Sequence, residues 1–236
     1  MKNLPFRSIP KKYNFLMLTG LDPDISFPDV KLAAPEGLVA VGGDLSPQRL
    51  LTAYSQGIFP WYSENQPPLW WSPDPRGIIP LNSFYPGSTL SKVLKRKVFE
   101  IRINSDFESV MRACAVRPDS SESGWITEEM ISAYTKLHQI GYAHSVESWS
   151  NEKLVGGVYG VAINGLFAAE SMFYRESNAS KAALAALVDH MKTRGFALLD
   201  CQMVTEVTKK MGAIEISRED YLKRLENALS QNCKFI

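Results

Sequence analysis

The chain has 236 residues, of which 45% are hydrophobic and 22% are charged, and its formal net charge at pH 7 is +1. These values are typical of a soluble globular protein with one large or two small domains. They exclude a general nucleic-acid coat, because such binding needs a broad excess of positive charge, although a local basic patch remains compatible with them.

The first predicted elements lie between residues 38 and 57. The apolar run 38–41 predicts a short strand, and the Gly-Gly-Asp that follows it predicts a turn. Ser46 and Pro47 have the residue types of an N-cap and a first-turn proline. The apolar spacing behind them predicts a short helix that Gly57 ends.

Residues 59–76 concentrate aromatic and proline side chains. This segment holds Trp61, Trp70 and Trp71, three of the five tryptophans, together with five prolines. Proline blocks helix interiors and central strands, so we expect a stiff and irregular chain. A rigid tryptophan offers a flat surface for stacking on a base. The alternative is a linker whose tryptophans plug a domain interface.

Two helices and a strand are predicted next. Residues 99–103 alternate like a strand, and Ser105-x-x-Glu108 resembles a capping box ahead of an apolar helical pattern. Thr127 is the predicted cap of a second helix, which Gly141 ends.

The pattern then changes to short β-like runs at 142–149, 154–163 and 166–173. Asn-Gly between the last two is a strong hairpin signal. The remaining predicted elements are a helix at 181–194, a strand at 196–199 that leads into Asp200-Cys201-Gln202, and helices at 204–211 and 219–229. This order predicts a mixed α/β (α+β) fold. Because the proline density ends near residue 75, we expect domains at 1–75 and 76–236.

Two carboxylates interrupt apolar strands and are the strongest candidates for chemistry. Glu170 and Asp200 would be costly to bury unless paired or hydrogen-bonded, so perturbed pKa values and function are expected there. The alternative is a capping carboxylate or one member of a buried ion pair. Gln202 shares the side of Asp200 if the strand continues. Cys201 then faces away and is better explained as core filler than as a nucleophile.

Basic and capping residues leave further alternatives open. The densest basic cluster contains Lys92, Lys95 and Arg96 and forms either a solvated face or a phosphate contact. The helix start at 177–181 is either an anion site or a simple cap. His144 lies in an alternating strand and is most simply a structural histidine.

Cysteine and histidine indicate a reducing compartment and no metal. The three cysteines form no Cys-x-x-Cys pair, and the three histidines lack His-Glu-x-x-His spacing. No apolar run resembles a signal peptide or a membrane span. We therefore expect a cytoplasmic protein with no cofactor and no membrane partner.

Nine short motifs occur in an order that is typical of one known family. They are Gly-Gly-Asp-Leu-Ser-Pro (42–47), Gly-Ile-Phe-Pro-Trp (57–61), Leu-Trp-Trp-Ser-Pro-Asp-Pro-Arg (69–76), Gly-Trp-Ile-Thr (124–127), His-Ser-Val-Glu (144–147), Leu-Val-Gly-Gly-Val-Tyr-Gly-Val (154–161), Phe-Ala-Ala-Glu-Ser-Met-Phe (167–173), Asn-Ala-Ser-Lys (178–181) and Asp-Cys-Gln (200–202). Together they resemble the bacterial leucyl/phenylalanyl-tRNA–protein transferases over about residues 27–226.

This resemblance implies a small N-terminal domain joined to a larger domain like that of the GNAT acetyltransferases. It implies transfer of Leu or Phe, and less readily Met, from aminoacyl-tRNA to proteins that begin with Arg or Lys, which marks them for N-end-rule degradation. We expect a monomer that meets the tRNA at its 3′ end.

The resemblance also implies four groups of site residues. They are an adenosine site at Trp61, Trp125 and Tyr54, a side-chain pocket at Phe167, Met172 and Leu187, a reacting centre at Asp200, Gln202 and Glu170, and an acceptor-stem contact at Lys92, Lys95 and Arg96. Trp70 and Trp71 are then expected to pack the seam between the domains. Two departures from the family leave the Leu:Phe preference open. Thr205-Glu206-Val207 stands where other members carry Asn and His, and Leu187 stands where an aromatic is expected.

In the mechanism that we expect, the acceptor α-amine attacks the activated ester directly, with no enzyme nucleophile. Asp200 accepts the amine's proton or orients the amine, Gln202 holds the carbonyl or relays hydrogen bonds, and Glu170 binds the aminoacyl ammonium or fixes Asp200. The alternative is that the departing ribose oxygen takes the proton itself. An acyl-CoA acetyltransferase on the same fold is disfavoured, because Arg175-Glu-Ser-Asn-Ala-Ser lacks the glycines of a pyrophosphate loop. A non-catalytic module that binds a peptide or RNA end is the other alternative.

Overall fold

The computed structural model describes residues 20–21, 26–116 and 125–236. Gly124 of the fourth motif and most of the basic N-terminal segment therefore lie outside the described residues. Within the described part of the chain, no helix combines the length and apolar character needed to cross a membrane.

A four-stranded sheet forms the N-terminal part, with the strand order β1-β2-β4-β3. Its elements are β1 (Gly20–Leu21), β2 (Leu38–Gly42), helix α1 (Pro47–Ser55), β3 (Phe59–Pro60) and β4 (Leu69–Trp71). The predicted strand and helix are confirmed here. Ser46 caps α1, since its side chain accepts a hydrogen bond from the backbone N–H of Arg49, and Pro47 occupies the first turn.

The expectation of an irregular tryptophan–proline segment was wrong in part, because β3 and β4 lie within it. β4 contains no proline and pairs with both β2 and β3. Pro60 lies in the edge strand β3, where a missing N–H is tolerated. Trp70 and Trp71 are buried, and their indole N–H groups donate to the carbonyls of Gly42 and Trp61.

A seven-stranded sheet forms the larger part, with the strand order β11-β5-β10-β9-β8-β7-β6. Its elements and surrounding helices are β5 (Arg76–Ile78), α2 (Gly87–Lys95), β6 (Glu100–Ile103), α3 (Phe107–Ala115), α4 (Glu128–Gln139), β7 (Ala143–Ser150), β8 (Lys153–Ile163), β9 (Leu166–Tyr174), α5 (Ala179–Arg194), β10 (Leu198–Gln202), α6 (Glu206–Lys210), β11 (Ile214–Ile216) and α7 (Arg218–Leu229). β9 and β10 are parallel and the other pairs of this sheet are antiparallel. The predicted mixed α+β fold is confirmed.

Some local predictions were wrong or incomplete. Asp106, not Ser105, caps α3, because the Asp106 carboxylate accepts a hydrogen bond from the backbone N–H of Ser109. Asn178 precedes α5 with a left-handed backbone and makes no side-chain capping bond. The sequence did not predict α2, β5 or β11. The basic run hides the apolar side of α2, and three-residue strands carry almost no periodicity.

Two apolar clusters cover the two faces of the larger sheet. One joins the small sheet and α1 to α3, α4 and β8. The other lies between the sheet and α5, whose first turn contacts β8 at Gly156. A Cβ at Gly156 would lie 2.5 Å from the Cβ of Ala179, so only glycine allows this approach. This close contact therefore fixes the position of α5 relative to β8.

Two of the three histidines, His144 and His190, pack against Phe235 near the C-terminus, and His138 packs edge-on against His144. His144 stacks on Phe235 with ring centroids 4.4 Å apart, and Nε2 of His190 donates to the Phe235 carbonyl at 2.6 Å. Asn104 Nδ2 donates to Nδ1 of His144, and Nε2 of His144 donates to a backbone carbonyl. Burial, with added repulsion from His138 and His190, lowers the pKa of His144 to about 4. His144 is therefore a neutral structural residue, as the sequence indicated.

We expect acid to destabilise the fold through His144. Its pKa is about 4 in the folded chain and near 6.5 when unfolded, so its stabilising effect is complete above pH 6.5 and is lost as pH falls towards 4. The full loss is about 3 kcal/mol, of which about 2 kcal/mol is lost by pH 5. Urea unfolding at pH 7.5 and pH 5 measures the change. His144→Phe keeps the ring stacking but binds no proton. Equal acid losses in the variant and the unaltered chain would contradict this role.

Candidate functional site

The strands β9 and β10 separate partway along their length. They pair only through Leu198, Leu199 and Asp200 of β10. Beyond that point β9 continues along β8, while β10 pairs with β5. A gap therefore opens beyond the paired residues of two parallel strands, which is where open α/β sheets bind ligands. Glu170 lies on the β9 side of this gap, and Asp200 and Gln202 lie on the β10 side.

A β-bulge sets the direction of Glu170. Tyr159 of β8 pairs with Ser171, but the next residue, Gly160, pairs with Ala169, so Glu170 has no partner on β8. Bulges of this kind redirect one side chain and are common beside active sites. Here the bulge brings the carboxyl group to the hydroxyls of Tyr54 on α1 and Tyr134 on α4.

Glu170 is held by hydrogen bonds in a poorly hydrated position. Nε2 of Gln202 donates to its Oε1 at 3.0 Å. The hydroxyls of Tyr54 and Tyr134 bond to each other and to the carboxyl group. Burial raises the pKa of Glu170 to about 8, and the tyrosine hydrogen bonds oppose part of this rise. The group therefore titrates close to neutral pH, which suits proton transfer.

Asp200 has no exposed surface, and its carboxylate accepts four hydrogen bonds. Oδ1 accepts from Nε of Arg76 at 3.0 Å and from the backbone N–H of Gln202 at 2.9 Å. Oδ2 accepts from Nη2 of Arg76 at 2.6 Å and from the Tyr221 hydroxyl at 2.9 Å. Asp200 is thus one member of a buried, bidentate ion pair.

Sequence reasoning missed Arg76 and Tyr221 as partners of Asp200. Arg76 was quoted as the last residue of a motif but was given no role. Its one available signal was a lone cation separated by a single glycine from the apolar residues Ile78 and Ile79. Tyr221 offered no signal, because an aromatic residue in an amphipathic helix is usually core.

Gln202 links the two carboxylates. It has a left-handed backbone, with φ 55°, which is uncommon for a residue other than glycine. Its own N–H bond to Asp200 stabilises this turn, and its side chain then reaches Glu170. A continuous hydrogen-bonded chain therefore runs from Arg76 through Asp200 and Gln202 to Glu170 and Tyr54.

The remaining predicted residues lie on both faces of the sheet. Trp61 and Trp125 are partly buried and pack against the same cluster as Tyr54. Phe167, Met172 and Leu187 belong to the opposite cluster, beside α5. The structure therefore places the two groups in different apolar clusters.

The predicted pocket residues differ in exposure. Phe167 and Leu187 are 0% exposed, and the ring of Phe167 packs against Phe235 with centroids 5.1 Å apart. Met172 is partly exposed. Cys201 also faces α5, as expected, and burial raises the pKa of its thiol, which makes it a poor nucleophile.

Lys92, Lys95 and Arg96 lie in the last turn and C-cap of α2, and all three side chains are exposed. They therefore present a basic surface next to α5, against which α2 packs. Cations at the end of a helix also interact favourably with its dipole. Their position is consistent with both alternatives that the sequence left open.

Comparisons with known proteins agree with the ordered motifs. The sequence model of the family "Leucyl/phenylalanyl-tRNA protein transferase" matches residues 78–226, and that of its N-terminal domain matches residues 43–74. Three relatives carry the name leucyl/phenylalanyl-tRNA–protein transferase. The one from Syntrophotalea carbinolica is 50% identical and the match covers 87% of this chain and 90% of the relative. The one from Colwellia psychrerythraea is 47% identical, covering 89% and 90%. The one from Tolumonas auensis is 46% identical, covering 92% and 94%.

Among solved structures, that of L-PGS from Bacillus licheniformis is 13% identical, with a TM-score of 0.39 over 64% of this chain and 48% of that one. A similarity of this size bears on neither fold nor function. The family match covers more than half of the chain, and each of the three relatives is more than 40% identical over most of its length. The chain therefore belongs to the leucyl/phenylalanyl-tRNA–protein transferase family.

Proposed function

We propose that this aminoacyltransferase moves Leu or Phe, and less readily Met, from aminoacyl-tRNA to proteins that begin with Arg or Lys, and so marks them for N-end-rule degradation. Membership of the family supports the transfer of an aminoacyl group from tRNA to protein. We place the reaction in the cytoplasm, in keeping with three unpaired cysteines. The observation that carries the mechanism is the hydrogen-bonded chain that joins Asp200, Gln202 and Glu170.

The reaction needs no enzyme nucleophile. The acceptor α-amine, with a pKa of about 7.7–8.0, attacks the ester carbonyl carbon of the aminoacyl-tRNA. A C–N bond forms, the bond from the carbonyl carbon to the ribose oxygen breaks, and one amine proton must reach that leaving oxygen. Because the ester is already activated, positioning of the two reactants should supply much of the rate.

We assign the proton transfer to Glu170. Its pKa near 8 allows it to take the amine proton and return it to the ribose oxygen, which leaves the enzyme unchanged. Asp200 takes the orienting role, because both of its oxygens already accept two hydrogen bonds. One amide N–H of Gln202 donates to Glu170, and the second donates to the reacting carbonyl oxygen.

The binding groups follow the two faces of the sheet. Trp61 and Trp125, with Tyr54 close by, hold the terminal adenosine of the tRNA. Phe167, Met172 and Leu187 form the pocket for the Leu or Phe side chain, and Met172 is its partly exposed wall. Lys92, Lys95 and Arg96 contact phosphates of the acceptor stem.

One assay separates this function from its rivals. Labelled Leu-tRNA or labelled acetyl-CoA is supplied with a peptide that begins with Arg, and with a matched peptide that begins with Ala. We expect only the Leu label to move, and only to the Arg peptide. Label from acetyl-CoA alone would indicate an acetyltransferase. Binding of Leu-tRNA with no transfer would indicate a non-catalytic module.

The same assay tests the pocket. Apolar pockets discriminate single methylenes only weakly, by about 10- to 200-fold, so rejection of β-branched Ile requires a steric wall near Cβ. Met172→Ala should raise Ile transfer relative to Leu by about 10-fold. Phe167→Ala is the comparison at the fully buried end of the pocket. No gain in Ile transfer from either variant would exclude this wall.

We expect Glu170→Gln to lower the transfer rate about 10²- to 10⁴-fold, because it removes the proton acceptor and keeps the side-chain shape. In the unaltered enzyme, the rate at saturating substrate should rise with pH through about 8, as Glu170 loses its proton. The acceptor amine titrates in the same range, so a second variant is needed. Tyr134→Phe removes a hydrogen bond that lowers the pKa of Glu170, and should move this limb to higher pH. A limb that stays in place would assign it to the amine instead.

Trp61→Ala should weaken binding of a non-hydrolysable aminoacyl-adenosine by about 5- to 150-fold, the value of one stacking contact of 1–3 kcal/mol. The fold should change little, because Trp61 is only partly buried and its carbonyl remains to accept from Trp71. Calorimetry measures the affinity, and thermal unfolding checks the fold. If the variant bound the aminoacyl-adenosine with full affinity, the role of the tryptophan–proline segment would be purely structural.

A further inference from the structure

We propose that Arg76 is a positioning residue that joins the segment 57–61, which contains Trp61 of the proposed adenosine site, to the reacting centre. One guanidinium then fixes the positions of both. This proposal rests on the function given above. It adds a residue that has no assigned role in the reaction and that lies outside the proposed binding groups.

All three nitrogens of the Arg76 guanidinium donate hydrogen bonds. Nε and Nη2 donate to Asp200, and Nη1 donates to the carbonyl of Gly57 at 3.0 Å. Its Cζ lies over the rings of Phe59 and Tyr221, whose centroids are 4.8 and 4.4 Å away. Arg76 itself is 1% exposed. Planar stacking together with a bidentate fork is a combination that lysine cannot reproduce.

The two segments that Arg76 holds are the two that the reaction needs. Gly57 lies between Tyr54, which contacts Glu170, and Trp61, which we assign to the adenosine. Asp200 fixes the turn at Gln202. A displacement of Arg76 would therefore move the donor site and the reacting centre relative to each other.

Stability alone does not explain this arrangement. Burying two charges costs several kcal/mol of desolvation each, and apolar replacements of buried ion pairs are often neutral or stabilising. What the ion pair supplies, and apolar packing does not, is a fixed direction for each hydrogen bond. A charged pair at the junction of two substrate-contacting segments is therefore better explained by positioning.

Helix α7 braces the same junction. The backbone N–H of Arg218 donates to the Asp74 carboxylate at 3.1 Å, and Nη1 of Arg218 donates to the carbonyl of Ser72 at 2.7 Å. Two hydrogen bonds from α7 therefore hold the segment that leads to Arg76. Tyr221 packs so closely on Gly57 that a Cβ there would lie 2.9 Å from its ring. The loop, the arginine and the helix thus form one packed unit.

The test uses Arg76→Lys, which keeps the charge, and Tyr221→Phe, which removes only the hydroxyl that donates to Asp200. Arg76→Lys should lower kcat about 10- to 100-fold and also raise KM for aminoacyl-tRNA at least about 5-fold, because both segments lose their shared anchor. Tyr221→Phe should lower kcat and leave KM unchanged, since the bond to Gly57 remains.

Arg49→Lys is the matched control, because Arg49 is a second fully buried arginine, lies on α1 and is not placed at the site. The proposal is overturned if Arg76→Lys retains normal kcat and KM, or if Arg49→Lys reproduces both changes at an equal loss of thermal stability.

Absence of transfer by the unaltered enzyme would count against the proposed function instead. In that case, the affinity for the non-hydrolysable aminoacyl-adenosine tests the role of Arg76 independently of transfer. Weakening of this affinity by at least about 5-fold in Arg76→Lys supports the positioning role, and unchanged affinity overturns it.

Discussion

The ion pair between Arg76 and Asp200 constrains the whole assembly. Both side chains are buried, so neither tolerates loss of the other. An unpaired buried charge costs about 3–5 kcal/mol, a large share of the 5–15 kcal/mol that typically stabilises a folded protein. Four hydrogen bonds to the carboxylate and two aromatic faces on the guanidinium satisfy the pair. These partners come from β10, α7 and β3. The two sheets and the last helix must therefore assemble around this pair together.

The same pair separates the properties of two carboxylates that lie close to each other. Asp200 pairs with a buried cation, and each of its carboxylate oxygens accepts two hydrogen bonds, so its position is fixed. Glu170 lies beyond the end of the paired strands, where burial raises its pKa and only neutral groups donate to it. Gln202 is neutral and donates hydrogen bonds to both carboxylates, from its backbone N–H to Asp200 and from its side chain to Glu170. In the proposed function, these different environments assign the orienting role to Asp200 and the proton transfer to Glu170, a division that recurs in enzymes with paired carboxylates.

The local sequence pattern was sufficient to predict the central strands of the larger sheet. Apolar alternation and Asn-Gly located β7, β8 and β9. The cost of a carboxylate inside an apolar strand identified Glu170 and Asp200, and motif order identified the family. Interactions between distant segments could not be predicted in this way. Arg76 and Asp200 are 124 positions apart, and no local pattern relates them. The bulge at Glu170 is a property of strand pairing. Ser105 and Asp106 are neighbouring residues that both suit a cap, and only the structure shows that Asp106 accepts the N–H of Ser109.

The distribution of binding groups over two faces has a consequence for the substrate. The aromatic residues assigned to adenosine lie on the face with α3 and α4, and the pocket residues lie on the face with α5. An aminoacyl-adenosine that uses both must cross the sheet. A continuous hydrogen-bonded ladder would prevent this, but β9 and β10 stop pairing after Asp200. In the proposed function, the ester that joins the two halves of the substrate would lie at this gap, beside the hydrogen bond that joins Gln202 to Glu170. The position of the reacting bond would then follow from the separation of the two strands.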